Sequence, residues 1–186
     1  MVFTAIGIII MTLLSGARLA QALAGQWWAL PLLAHSLLAV ILLVLHRKST
    51  QDSTPIQQFI AWCSALLPLI IQVGLEVPVI VRLLSLGGVF FSIWGLTCLG
   101  KAFDIAPADR GLVIRGPYRL LRHPVYAGEF FSALMMALTD LSLWNGIAIS
   151  LLMITLILRI QWEEKIIHGY ADYARQVPNR LVPGIW

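Results

Sequence analysis

Charge is what this sequence has least of. Only 12% of its 186 residues are Asp, Glu, Lys or Arg, against 59% hydrophobic residues and a mean hydropathy of +0.85. Soluble domains carry about 25% charged residues, so an ordinary soluble enzyme is excluded and an integral membrane protein is expected. Cysteine is almost missing. Cys63 and Cys98 lie far apart inside apolar runs, which argues against a disulfide framework or a Cys/His metal site. Internal repeats, low-complexity tracts and the alternation of a half-buried strand are also absent, which leaves an all-α helical bundle. The opening "MVFT" has no basic region of the kind that precedes a secretory signal. "AQALAG" resembles a cleavage site, but Arg18 interrupts the run before it, so residues 2–24 read as a retained membrane helix.

What is present is oil in six portions. Apolar stretches run over about 2–23, 27–45, 56–74, 79–100, 124–139 and 142–162, each near the roughly 17–25 residues that span a bilayer. The short link "TDLSLWN" makes the last two an antiparallel hairpin. The chain reads as one membrane domain, with N-terminal helices over 1–94 and a chemically distinct half over 95–186. If six helices alternate, eleven of the thirteen Lys and Arg residues fall on one side, and only Arg18 and Arg82 lie toward the other. By the positive-inside rule both termini and the basic loops are cytoplasmic. Trp27, Trp28, Trp144 and Trp162 stand at helix ends as an aromatic belt.

Topology alone accounts for Arg47 and Lys48, and for much of Arg115, Arg119 and Arg122, but not for the rest of "KAFDIAPADRGLVIRGPYRLLRHPVYAGE". Its prolines and glycines hold the backbone near the membrane surface. Pro124 suits the first turn of a helix, where its missing N–H costs nothing. That places His123 at the capping position, beside free backbone donors and the positive end of the helix dipole, where an anion is favoured. A second cluster, "RIQWEEKIIHGYADYARQVPNRLVPGIW", puts Arg159 and Glu163 four residues apart on one helix face. The hairpin brings the two clusters to the same depth.

The combination of "GPYRLLRHPVYAGE" with a downstream "R…EE" and a Tyr/Pro-rich tail resembles the isoprenylcysteine carboxyl methyltransferase family. The wider group includes phospholipid N-methyltransferases and bacterial membrane methyltransferases. The resemblance covers roughly residues 95–186. It implies binding of S-adenosyl-L-methionine by Arg110, Gly111, Leu112 and Val113, then Tyr118, then His123, Pro124, Val125 and Tyr126, and finally Glu163. It also implies that Arg159, as the catalytic residue, meets the acceptor. Two departures stand out: the segment between "EEKII" and "YADY" is shorter than in that family, and the extra N-terminal helices of its eukaryotic members are missing.

The residue chemistry agrees with this expectation. His123 and backbone N–H groups suit the cofactor's carboxylate, Glu163 can accept from its ammonium or hydroxyls, and Tyr118, Tyr126, Leu112 and Val113 offer surface for adenine. Methyl transfer from a sulfonium is an in-line displacement whose leaving group needs no proton, so alignment in a dry site supplies much of the rate. The expected partners are a lipophilic methyl acceptor entering from the bilayer and membrane lipids, with no nucleic acid and no metal. Competing readings are a non-catalytic lipid-binding scaffold and, less well supported by the interfacial charge, a transporter. Arg159 and Glu163 can also be a simple i,i+4 ion pair. His35 reads as a packing residue, and Glu129 and Glu164 stand evenly between supporting the site and facing the interface.

Overall fold

A computed structural model describes residues 2–186 and has seven α-helices among them. In order these are α1 (Val2–Leu23), α2 (Ala29–Leu45), α3 (Pro55–Leu66), α4 (Val79–Leu99), α5 (Pro124–Ala137), α6 (Leu143–Ile166) and α7 (Tyr170–Gln176). Three of them, α1, α4 and α6, are long and apolar enough to cross a membrane. α2 and the Pro55–Ile70 segment are shorter apolar helices. α5 has 14 residues, which at 1.5 Å per residue reach about 21 Å, short of a hydrocarbon core of about 30 Å. The six apolar stretches of the sequence therefore appear as three full-length helices and three shorter ones. The helix α4 runs unbroken through residue 94, where the sequence suggested a change of character.

The third stretch departs most from expectation. Its α-helix ends at Leu66, a 3-10 turn covers Leu67–Ile70, and residues 71–78 are not helical. Pro68 explains the break, since it cannot donate the hydrogen bond that would continue the ladder. The freed backbone is held by Asn145 on α6: its Oδ1 accepts from Gln72 N at 2.9 Å, and its Nδ2 donates to the carbonyls of Gln72 (2.7 Å), Asp140 (2.8 Å) and Ala137 (3.2 Å). Gly74 N donates to Thr139 Oγ1, and Trp144 Nε1 to Ile70 O. The far end of the bundle is thus closed by side chains standing in for a helix.

Helix contacts rely on small residues and hydroxyl pairs, as expected where lipid offers no competing hydrophobic force. A Cβ on Gly128 of α5 would sit 2.5 Å from Gly88 O of α4, and one on Gly95 would meet Val125 at 2.8 Å. Ser15–Ser36 joins α1 to α2, Ser64–Thr155 joins α3 to α6, and Ser85–Ser132 joins α4 to α5. The α5–α6 hairpin is antiparallel, since Tyr126 meets Glu163 at one end while Ala137 meets Asn145 at the other. At the end carrying Tyr126, two short strands that the sequence did not suggest, β1 (Gln51–Asp52) and β2 (Ala108–Asp109), pair antiparallel with Gln51 opposite Asp109. This pairing ties the loop after α2 to the loop after α4.

Candidate functional site

The α4–α5 loop, the start of α5, the end of α6 and α7 converge on one cleft at this basic end of the bundle. Two latches hold the loop. Asp104 caps Ile105 N and pairs with Arg110, whose Nε donates to Asp104 Oδ2 at 3.0 Å and whose Nη1 also reaches Arg47 O. Asp109 accepts from Thr50 Oγ1, Gly111 N and His168 N. Burial works to raise the Asp109 carboxyl, but those hydrogen bonds and the nearby His168 outweigh it and hold the group below its ordinary value. Gly111 itself has φ +93°, a left-handed turn that favours glycine.

His123 occupies the capping position of α5, as the sequence suggested, with Pro124 in the first turn and no capping hydrogen bond from the imidazole. Its backbone N–H donates to Arg180 O and that of Arg122 to Asn179 O, so the C-terminal segment lies alongside the motif. The imidazole faces two carboxylates: Nδ1 stands 3.5 Å from Glu163 Oε2, and Nε2 stands 3.6 Å from Glu164 Oε1. Nε2 also lies 2.9 Å from Tyr170 Oη. Tyr126 stacks on the ring at 5.7 Å with an interplanar angle of 2°, and Tyr170 stacks at 6.1 Å on another side. Burial alone would depress the imidazole, but Glu163 and Glu164 outweigh it and raise its affinity for a proton. Burial, reinforced by Glu164 and Glu163, pushes the Tyr170 phenol up, so it stays protonated.

The two glutamates differ. Glu164 is neutralised by a bidentate contact from Arg180, at 2.9 and 2.8 Å, and by Arg122 Nη1 at 2.9 Å. Such a fork fixes geometry as well as charge. Glu163 has no arginine or lysine partner among the described residues; it accepts from Tyr126 Oη and faces His123. It therefore keeps acceptor capacity toward the cleft.

The cleft holds about 700 Å³ of empty space, its open mouth included. Of the residues singled out from the sequence, Arg110, Gly111, Leu112, Val113, Tyr118, His123, Val125, Tyr126 and Glu163 line it. Pro124 does not; it is fully buried and shapes the helix start. Arg110 reaches the wall with its guanidinium already engaged by Asp104 and Arg47. Arg159 also stands off the wall. It is 4% exposed, its Cζ lies 4.4 Å from the centre of the Tyr126 ring, and its Nη2 donates to Ile105 O at 2.8 Å and Tyr126 Oη at 3.1 Å.

No direct Arg159–Glu163 ion pair forms among the described residues, because the Tyr126 hydroxyl stands between them and bonds to both. Arg159 Nε is buried without a partner, as is Arg122 Nε. Orphaned buried donors of this kind call for an explanation, and a ligand group is one.

Sequence reasoning missed Arg122, Tyr170 and Tyr173 on the wall. Tyr173 is 1% exposed and donates to Tyr118 O at 2.7 Å, so α7 closes one side of the cleft. The available signal was the "YADY" spacing, which puts the two tyrosines three apart on one face of a helix.

Residues 78–171, half of the chain, match the family model described as Phospholipid methyltransferase. The match begins at the cap of α4 and ends in the first turn of α7, so it contains the motif, both glutamates and Tyr170 but not Tyr173 or Arg180. No curated protein matches the chain. A match over α4, the latched loop and the α5–α6 hairpin, the parts that build most of the cleft, shows that the chain belongs to the phospholipid methyltransferase family.

Proposed function

We propose that this protein is an integral membrane methyltransferase that binds S-adenosyl-L-methionine in the cleft and methylates a lipophilic acceptor. The acceptor is an isoprenylcysteine-type carboxylate or another small lipid-like molecule that reaches the site from the bilayer. The observation that carries this reading is Glu163, a carboxylate with no Arg or Lys partner among the described residues, beside the buried His123 on the wall of an aromatic cleft.

The residues present suit the cofactor. Glu163 can accept from an ammonium or hydroxyl, His123 and Arg122 Nε can donate to a carboxylate, and Tyr118, Tyr170, Leu112 and Val113 offer faces for a flat base. When bound, S-adenosyl-L-methionine would supply an electrophilic methyl group. The chain's own contribution is positional. The latches of Asp104 and Asp109 fix the loop, Tyr170 and Tyr173 exclude water from one side, and Arg159 holds the Tyr126 hydroxyl from behind. Arg159 would then act on the acceptor through the Tyr126 hydroxyl that it holds. Orientation of this kind, in a water-poor site, accounts for much of the rate in a displacement that needs no proton transfer to the leaving group.

The excess of Lys and Arg on this face supports a cytoplasmic orientation for the cleft and both termini. Titration calorimetry of the purified protein with S-adenosylhomocysteine tests the reading. Micromolar binding that is lost in His123→Ala supports it, and no detectable binding to the wild type sinks it. Incubation with labelled S-adenosylmethionine and a membrane lipid extract, followed by mass analysis, would identify the acceptor.

A further inference from the structure

The cations of the α4–α5 loop sort by face. Arg110 and Arg122 reach the cleft wall, and each is paired, with Asp104 and Glu164. Lys101, Arg115 and Arg119 are exposed on the outside of the loop and have no carboxylate partner among the described residues. The two acids of the loop cannot serve them, since Asp104 and Asp109 are taken by the latches. The apolar side chains divide in the same way. Leu112, Val113 and Tyr118 line the cleft, whereas Ile114 and Leu120 stand off it, 40% and 57% exposed. The 3-10 turn Gly116–Arg119 joins the two faces, with Tyr118 buried on one and Arg119 exposed on the other.

The end of α4 fixes the depth of this outer face. Gly116 has φ +57°, and a Cβ there would sit 2.4 Å from Cys98 Sγ, so the turn is pressed against the last turns of the helix. Arg115 Nε donates to Cys98 O at 2.9 Å. The exposed Trp94 lies one turn before Cys98 on the same side of α4, in the place of an interfacial anchor. The patch therefore stands where a helix long enough to cross a membrane leaves it. Water would leave Ile114 and Leu120 bare, and hydrocarbon would strand the arginines. A headgroup layer, with phosphates and acyl chains within one side chain's length, satisfies both.

We infer that the outer face of this loop, Arg115 and Arg119 with Lys101, Ile114 and Leu120, is a docking surface for anionic lipid headgroups, and that seating there steadies the cleft wall behind it. The arginines meet the lipid phosphates, and Ile114 and Leu120 enter the acyl boundary. Tyr118 shares the turn with Arg119 and its carbonyl receives the Tyr173 hydroxyl, so the same few residues carry the contact to the wall. The surface reads the negative charge of the leaflet and says nothing of which acceptor is methylated.

The test uses the full chain in detergent, offered equimolar phosphatidylglycerol and phosphatidylcholine, with retained lipid counted by native mass spectrometry. One juxtamembrane charge is worth about fivefold, so the wild type should favour phosphatidylglycerol by at least about tenfold. Arg115→Gln with Arg119→Gln should remove most of that preference, and Arg47→Gln with Lys48→Gln, beyond α2 on the same face, should leave most of it. Leu120→Ser should weaken retention with every charge in place. Equal retention of the two lipids by the wild type overturns the surface, as does an undiminished preference in the Arg115/Arg119 variant. A loss just as large in the Arg47/Lys48 variant overturns it too, by showing a generic basic face.

The steadying of the wall rests on the methyltransferase reading above and has its own readout. In nanodiscs, S-adenosylhomocysteine should bind about fivefold more tightly with phosphatidylglycerol present than in phosphatidylcholine alone, and the Arg115/Arg119 variant should lose that gain. Equal affinity in the two lipids overturns the coupling. Absence of binding in both overturns the proposed activity, while the lipid counts still decide the surface.

Discussion

The two ends of the bundle are each closed by a buried polar network, and the networks differ in one respect. At the far end Asn145 spends its carbonyl and amide on backbone groups of Gln72, Ala137 and Asp140, and no atom of its side chain is left over. At the basic end Arg159 and Arg122 each keep a buried Nε unpaired, and Glu163 faces a cleft. A network completed by its own chain rigidifies a fold. One left incomplete around a cavity is arranged for something else to complete it. The difference separates structure from site more sharply than residue type does, since both ends are polar and buried.

Four experiments would break or sharpen that contrast. The largest effect belongs to Asn145→Leu, which strands the Gln72 N–H and three carbonyls. Stability should fall by roughly 2–4 kcal/mol in denaturant titration of the purified protein, with cofactor affinity unchanged in whatever fraction remains folded. Glu163→Gln should do the reverse. The amide can still accept from Tyr126, so stability should shift little. S-adenosylhomocysteine affinity should drop about a hundredfold, near 2.7 kcal/mol, and retention of wild-type affinity would show that Glu163 is a packing residue.

A smaller effect follows from His123, whose proton affinity is raised in the fold relative to about 6.5 in the unfolded chain. The folded state then holds more protons than the unfolded one, so its contribution is complete below about pH 6.5 and is lost as pH rises through the higher folded value. Thermal midpoints should decline across that window, and His123→Gln should flatten the decline. The smallest effect is expected of Arg175→Ala. It breaks an exposed pair with Asp172 on the outside of α7 and should move neither stability nor binding measurably.

How much of this was legible beforehand depends on the range of the interaction. Five of the six apolar stretches became helices within a few residues of their expected ends, because hydropathy reports burial in lipid residue by residue. The third was cut short at Leu66, since Pro68 outweighs the composition around it. The motif fixed His123 and Pro124 at the start of α5, a local matter of capping, and the hairpin placed Glu163 beside Tyr126.

What could not be read were partners set by loops. The Asp104–Arg110 latch makes Arg110 structural in its charge, and nothing in the spacing reveals it. The β1–β2 pairing is two residues long and has no periodicity to detect. The Arg159–Glu163 pair looked plausible because i,i+4 spacing is local, and it was displaced by a tyrosine 33 residues away from Arg159.

The clamp by Asn145 also bears on the order in which the molecule can be assembled. The N–H and carbonyl of Gln72 wait for a side chain 73 residues further along, and until α6 is synthesised and inserted they have no such partner. The link between α3 and α4 therefore cannot take up its final hydrogen bonds until the α5–α6 hairpin is in place. Completion of the far end is thus a late event in biogenesis, timed by the same hairpin that assembles the cleft.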